Sequence, residues 1–148
     1  MSITPRHALP MLSIAQAHKE ITHNEALFIV DFLLNPVVEE MLVIAPTGLL
    51  PADAGKCWLV GESATGIWNA HARAIACWTG EGWRFAEPVE GMVVWSRIAA
   101  IQIRFVGGDW LIPSAVADPQ GGGFIDLEAR AALIALLSYF RQSGEISA

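Results

Sequence analysis

The first apolar pattern in the chain has helical spacing. Its members are separated by three, four and seven residues, which places them on one face of an α-helix. They are Ile14, Ala17, Ile21 and Phe28. Ser13 is a suitable N-cap, and the step Asn35-Pro36 ends the pattern because the residue before a proline avoids helical geometry. The spacing predicts an amphipathic helix over 14–34, preceded by an extended arm.

Short apolar runs separated by turn residues fill the middle of the chain. They are rich in β-branched and aromatic residues and lie at 37–46, 57–61, 74–88 and 91–113. The turn residues 79–82 divide the third run into a hairpin, and the fourth run holds two or three strands. The pattern predicts a compact antiparallel β-domain over 36–113.

Helical spacing returns near the C-terminus. Asp126 is a suitable N-cap, apolar positions then follow from Leu127 to Phe140, and Gly144 suits a helix stop. We therefore predict an α+β protein, in which a small Trp-rich antiparallel β-domain is flanked by an N-terminal and a C-terminal helix. The predicted parts are an N-terminal arm and oligomerisation helix, the β-domain, and a Gly-rich linker with the C-terminal helix. Their ranges are 1–35, 36–113 and 114–148.

Composition adds an expectation of self-association. Of the 148 residues, 53% are hydrophobic and 16% are charged, and the mean hydropathy is +0.43. No purely apolar run approaches the roughly 20 residues of a membrane-spanning helix, and the first residues lack the pattern of a signal peptide. We expect no membrane insertion and a homo-oligomer that buries apolar surface between copies.

Charge and cysteines exclude further classes. The net charge of −6 argues against a nucleic-acid partner, because phosphate binding needs a basic surface. Cys57 and Cys77 each precede a tryptophan in a strand-like run. Buried free thiols are the favoured interpretation, and a disulfide between them stays open. Neither has a second cysteine at the close spacing of a zinc site.

The most polar part of the predicted N-terminal helix is "QAHKEITHNEAL" at 16–27. Glu20 and His23 have the Glu-x-x-His spacing of di-metal sites, but those sites need a second such motif and further glutamates. His18 lies about 140° around the helix from His23. We therefore predict no metal and no cofactor, and interpret the stretch as an assembly helix whose polar residues fix register. The predicted interface is Ile14, Ala17, Ile21, Asn24 and Phe28.

No arrangement of residues indicates covalent catalysis. The chain has no Gly-x-Ser-x-Gly elbow, and the glycines 121–123 lack the Gly-Lys-Ser/Thr of a phosphate-binding loop. Glu81, Glu87 and Glu90 lie near Trp83 and could supply a glycosidase pair, although such turn positions are more often structural. We predict a non-catalytic protein and keep polysaccharide degradation as the enzymatic alternative.

Six tryptophans are the strongest chemical signal, and most should form the core of the β-domain. Sugar-binding proteins also stack pyranose rings on exposed indoles and bind the hydroxyls with nearby polar groups. Trp68 lies in an irregular segment, where side chains more often reach the surface. The predicted carbohydrate-binding residues are Trp68, Asn69, His71 and Trp83.

Several long motifs occur in order along the chain. They include "LPMLSIAQAHKEITHNEAL", "IACWTGEGWRF", "PVEGMVVW", "RFVGGDW" and "IDLEARAAL". Together they resemble a family of uncharacterised domains from tail-fibre, receptor-binding and head-spike genes of bacteriophages and gene transfer agents. Ala70 departs from this pattern, because relatives often have glycine there, and the departure weakens the case for close ligand approach at that turn.

The resemblance implies a particle-associated protein made in the bacterial cytoplasm. Its expected partners are other copies of itself, other virion proteins and host surface polysaccharide. Fibres and spikes are commonly homotrimers, so the resemblance implies a trimer, with a dimer left open. The function expected from the resemblance is a non-catalytic module that helps bind host polysaccharide, and the alternative is a purely structural adaptor.

Overall fold

The computed structural model describes residues 2–12, 19–120 and 126–147. The described residues form two helices, α1 (Lys19–Leu33) and α2 (Leu127–Gln142), and two 3₁₀ turns, Pro51–Asp53 and Gly66–Trp68. The strands are β1 (Val37–Val38), β2 (Met41–Leu42), β3 (Cys57–Val60), β4 (Ile75–Trp78), β5 (Trp83–Ala86), β6 (Val93–Ser96), β7 (Ile101–Val106) and β8 (Asp109–Leu111). The α+β class and both flanking helices are confirmed.

Two four-stranded sheets make up the β-domain, with the orders β1-β6-β7-β8 and β2-β3-β4-β5. The hairpin predicted around residues 79–82 is β4–β5, and the run 91–113 yields all three strands β6, β7 and β8. The sheets are mixed rather than purely antiparallel, because β1 pairs parallel to β6 and β2 pairs parallel to β3.

The single strand predicted over 37–46 is wrong. It is two strands of two residues each, and they belong to different sheets. Between them, Glu39 N–H donates to the carbonyl of Cys57 and Glu40 accepts from Leu59 N–H. The chain thus crosses from one sheet to the other while its backbone groups stay paired, which a hydrophobic pattern does not reveal.

The larger core lies where inward side chains of both sheets meet α1. It contains Leu59 and Ile75 from one sheet, Ile103 and Trp110 from the other, and Phe32 from the helix. Strand β7 alternates strictly between buried and exposed positions, as a strand with one covered face should. Each large side chain in this core contributes about 1.5–3 kcal/mol by leaving water.

A second core covers the opposite face of the β2–β5 sheet. Trp58 and Val60 of β3 point into it, whereas their neighbours Cys57 and Leu59 point into the larger core. All four residues of β3 are consequently buried. A sheet covered on both faces loses the apolar-polar alternation of a one-sided sheet.

Helix α2 is held at its ends. Asp126 accepts a 2.9 Å hydrogen bond from Ala129 N–H, which confirms the predicted cap. Gly144 terminates the helix with a φ of +73° and its carbonyl accepts from Gln102 N–H at 2.7 Å. No residue of α2 is buried. Within the described ranges, no helix is long and apolar enough to cross a membrane.

Candidate functional site

Trp83 is partly buried and packs against the second core. Its ring meets three other indoles edge-on, with centroid distances of 5.0 Å to Trp68, 5.3 Å to Trp78 and 5.5 Å to Trp58. We call these four residues the Trp83 cluster. The pairing of β4 with β5 sets Trp78 directly across from Trp83, so the sheet register itself builds part of the cluster. Each edge-to-face pair adds about 0.5–1.5 kcal/mol beyond simple burial.

Trp68 is fully buried, so the prediction that it is an exposed sugar platform is wrong. The 3₁₀ turn Gly66–Trp68 folds the connector back over the sheet and directs the indole inward. Gly66 adopts a φ of +65°, which favours glycine and lets the chain reverse there. Trp68 Nε1 has no hydrogen-bond partner among the described residues.

The other three predicted sugar-binding residues lie at or near the surface. Trp83 is half-buried, Asn69 is exposed at the end of the 3₁₀ turn, and His71 is half-buried. The His71 imidazole stacks flat on the ring of Phe85, with a centroid distance of 3.6 Å and an interplanar angle of 4°. Phe85 and Trp83 project to the same face of β5. We call Asn69, His71, Trp83 and Phe85 the aromatic face.

Phe85 was not among the predicted site residues, although its spacing from Trp83 places it on the same face. Trp83 and Phe85 are two residues apart in a four-residue strand, and this spacing places both on one side of the sheet. The contact with His71 had no such signal, because it depends on how the irregular connector folds.

Arg73 ties that connector to the neighbouring sheet. Its guanidinium lies 2.5 Å from Glu62 Oε1 and 3.7 Å from Asp109 Oδ1, and its carbonyl accepts from Trp110 Nε1 at 2.7 Å. The backbone of Arg73 has a φ of +67°, which is uncommon outside glycine. These contacts fix the connector, and with it His71, against strand β8.

Only part of the predicted helix interface lies among the described residues. Ile14, Ala17 and also Ser13 and His18 lie outside the described residues. Ile21 is 54% exposed, and Phe28 is half-buried. Both ends of the Asn24 amide bond within the chain, since Oδ1 accepts from Leu12 N–H and Nδ2 donates to the Leu12 carbonyl, each at 3.0 Å.

Asn24 therefore holds the N-terminal arm within the chain. The oligomer interface at Ile14, Ala17, Ile21, Asn24 and Phe28 stays a prediction. The neighbouring His23 is exposed. In the ranges that can be described, no group of three or more His, Cys, Asp or Glu residues is arranged to hold a metal ion.

The three glutamates considered as a glycosidase pair lie in turns or just after a strand. Glu90 accepts from Gly107 N–H through both carboxylate oxygens, at 3.1 and 3.2 Å, and so stabilises the turn between β7 and β8. Glu81 is an exposed residue of the β4–β5 turn, and Glu87 is exposed directly after β5.

Helix α2 presents its apolar side to solvent. At 100° per residue, an uninterrupted arc of about 160° carries only apolar and aromatic side chains. They are Ala129, Ala132, Leu133, Leu136, Leu137, Tyr139 and Phe140, and we call them the α2 apolar arc. Leu133, Leu136 and Tyr139 are 51%, 54% and 63% exposed.

The side of α2 that carries Arg130 and Arg141 makes the contacts within the chain, together with Leu137 at the edge of the α2 apolar arc. The half-buried residues of the helix are Arg130, Leu137, Ser138 and Arg141. Arg141 pairs with Asp118 at 2.9 Å and also donates to the carbonyl of Val116. The helix thus turns its two arginines to the protein and most of its apolar arc to solvent, and large exposed apolar patches mark interaction sites.

Comparison with known proteins gives one result. The family model described as a protein of unknown function, DUF2793, matches residues 23–111, more than half of the chain. The match begins in α1, ends with β8 and leaves α2 outside. No curated protein and no solved structure matches the chain.

Proposed function

The chain belongs to the DUF2793 family, and from this premise we propose that it is a non-catalytic structural adaptor of a phage-like particle, whose copies associate through α2. The observation that carries the proposal is the α2 apolar arc. Burying apolar surface gains about 25 cal/mol per Å², and the chain itself buries no residue of this helix.

The spacing of the arc supports another helix as the partner. Ala129, Leu133, Leu136 and Phe140 follow one another at intervals of four, three and four residues, which is the heptad spacing of helices that pack together. The arc is wider than the narrow seam of a two-helix coiled coil. Three copies around an axis would let each helix bury both flanks of its arc, so we propose a trimer.

Sedimentation of the full chain tests this assembly. Leu136→Glu places a charge in the middle of the arc and should convert the trimer to monomer at micromolar concentration. Ala131→Glu introduces the same charge at an exposed position on the other side of α2 and should leave the trimer intact. A monomeric wild-type chain would overturn the proposal.

Placement in a particle rests on the resemblance of the motifs to domains from tail-fibre and head-spike genes. We propose that the protein is made in the bacterial cytoplasm and incorporated into the particle beside other virion proteins. Mass spectrometry of purified particles, with a gradient-matched lysate fraction as control, tests this. Absence of the chain from particles that contain their other components would contradict it.

Host polysaccharide recognition is a second candidate, favoured by the half-exposed aromatic face. His71 on Phe85 forms a flat aromatic surface, and Asn69 beside the turn could bind sugar hydroxyls. A trimer would multiply weak single sites. Titration of host polysaccharide into wild type and His71→Ala, read by tryptophan fluorescence, tests this function. Release of reducing ends during the titration would instead favour the enzymatic alternative.

A further inference from the structure

Two thiols that neither proposed function uses face each other across antiparallel strands. Cys57 on β3 is in register with Cys77 on β4. The residues flanking this pair carry the hydrogen bond, from Trp78 N–H to the carbonyl of Lys56 at 2.9 Å. Cys57 and Cys77 thus form a non-hydrogen-bonded pair, whose Cα atoms lie about 4.5 Å apart. Disulfides span Cα separations of roughly 4.4–6.8 Å.

Both side chains point into the larger core, so they lie on the same side of the sheet. The two residues are 1% and 3% exposed. A side-chain hydrogen bond with Cys57, followed by burial, raises the pKa of Cys77 above its usual range. The strand register therefore brings the two sulfurs together before any oxidation takes place.

The N-terminal arm covers Cys57. Arg6 Nη1 lies 3.7 Å from Cys57 Sγ and donates to the carbonyl of Phe32 at 3.2 Å, and Nη2 donates to the carbonyl of Asn35 at 2.9 Å. The arm also packs tightly against Gly55, two residues before Cys57. A Cβ on Gly55 would lie 2.8 Å from Arg6 Cγ. A reagent can reach Cys57 from this side only when the arm lifts.

We propose that Cys57 and Cys77 are a redox-sensitive pair that closes to a cross-strand disulfide by exchange with a low-molecular-weight disulfide, and that the N-terminal arm controls access to it. This inference stands apart from the proposed adaptor function. The pair needs no rearrangement of β3 or β4 to close, since the register already suits the bond.

The exchange balances with oxidised glutathione as the oxidant. The Cys57 thiolate attacks one sulfur of oxidised glutathione, which forms a mixed disulfide and releases one glutathione thiolate. Cys77 Sγ then attacks Cys57 Sγ, its proton passes to the departing second glutathione, and the protein disulfide is complete. Two electrons pass from the protein dithiol to the glutathione disulfide, and the two thiol protons of the protein end on the released glutathiones. Protein dithiol and oxidised glutathione become protein disulfide and two reduced glutathiones.

The test incubates the native full chain with oxidised glutathione and follows it by intact mass and peptide mapping under non-reducing conditions. We expect the loss of two hydrogen atoms, a peptide that joins Cys57 to Cys77, and reversal by dithiothreitol. Denatured chain treated in the same way is the control for the oxidant. Two free thiols in the native chain after long incubation, while the denatured chain oxidises, would overturn the proposal that Cys57 and Cys77 form a disulfide. A stable glutathione adduct on Cys57 would overturn it equally.

Separate variants test whether the N-terminal arm controls access to the two thiols. Arg6→Gln removes the guanidinium and should speed oxidation of the native chain by about tenfold, because hydrogen bonds from a charged group hold the arm closed. Arg104→Gln, at an exposed position on β7, is the matched control and should oxidise at the wild-type rate. Asn24→Ala releases the other end of the arm and provides a second test if Arg6→Gln does not fold. Unchanged rates in the folded variants would overturn arm control.

Discussion

Thr4 Oγ1 donates a 2.7 Å hydrogen bond to Oδ1 of Asp31, and both residues are 1% exposed. The same carboxylate accepts from the backbone N–H groups of Arg6 and His7, at 2.9 and 2.8 Å. One acidic side chain of α1 thus gathers three donors from the arm. Asp31 thus ties the N-terminal segment to the domain, beside the hydrogen bonds of Arg6 and Asn24.

Asp31→Asn should destabilise the protein by about 3 kcal/mol. The substitution replaces one acceptor oxygen by a donor and removes the charge that strengthens the remaining hydrogen bonds, which leaves buried donors unpaired. Urea unfolding at pH 7 measures the change. Asp109→Asn is the control, because its carboxylate is exposed and should contribute about 0.5 kcal/mol.

The anchor should also weaken in acid. Burial acts to raise the pKa of Asp31, but the hydrogen bonds from Thr4, Arg6 and His7 outweigh it and hold that pKa below its ordinary value. A carboxylate whose pKa is lower when folded stabilises the protein above its unfolded pKa of about 3.9, and this stability is lost as the pH falls through the folded pKa. Unfolding midpoints of wild type and Asp31→Asn should therefore converge below about pH 4. A gap that stays constant with pH would contradict this.

Trp83→Ala should lower the free energy of unfolding by about 3 kcal/mol. This is the lower end of the loss for a large aromatic side chain, because the ring is only half-buried. The reason is that three indoles lose their shared contact at once. Chemical denaturation gives the free energy of unfolding, and Val106→Ala on the exposed side of β7 serves as control. A loss below about 1 kcal/mol would show that the cluster does not depend on Trp83.

Gly144→Ala should loosen α2 from the β-domain. A Cβ there would lie 2.5 Å from Trp95 Cζ3, and the positive φ adds backbone strain. We expect a loss of about 1–3 kcal/mol and faster amide exchange in α2. Ser143→Ala is the neighbouring control, and equal exchange in both variants would contradict the anchoring role of Gly144.

Local signals predicted much of this fold. Asp126, Gly144 and the β4–β5 turn carry their conformational preferences in their own side chains or in the lack of one, and all three lie where expected. The sheet change between Val38 and Met41 was hidden, because both two-residue strands read as one apolar run.

The candidate site was harder to predict than the fold. Trp68 stands in a connector whose composition is typical of a surface loop, yet a single turn directs the indole inward. Which face of α2 meets the domain depends on Arg141 and the segment after the helix, not on amphipathicity. Tertiary contacts decided both cases, and no pattern within either segment encodes them.

The most direct test of the adaptor function is the mass of the assembled chain in solution. Sedimentation equilibrium of wild type, Leu136→Glu and Ala131→Glu at micromolar concentration distinguishes assembly through the α2 apolar arc from assembly elsewhere. We expect a trimer for wild type and Ala131→Glu and a monomer for Leu136→Glu. A monomeric wild type, or a Leu136→Glu variant that remains trimeric, would overturn assembly through the α2 apolar arc.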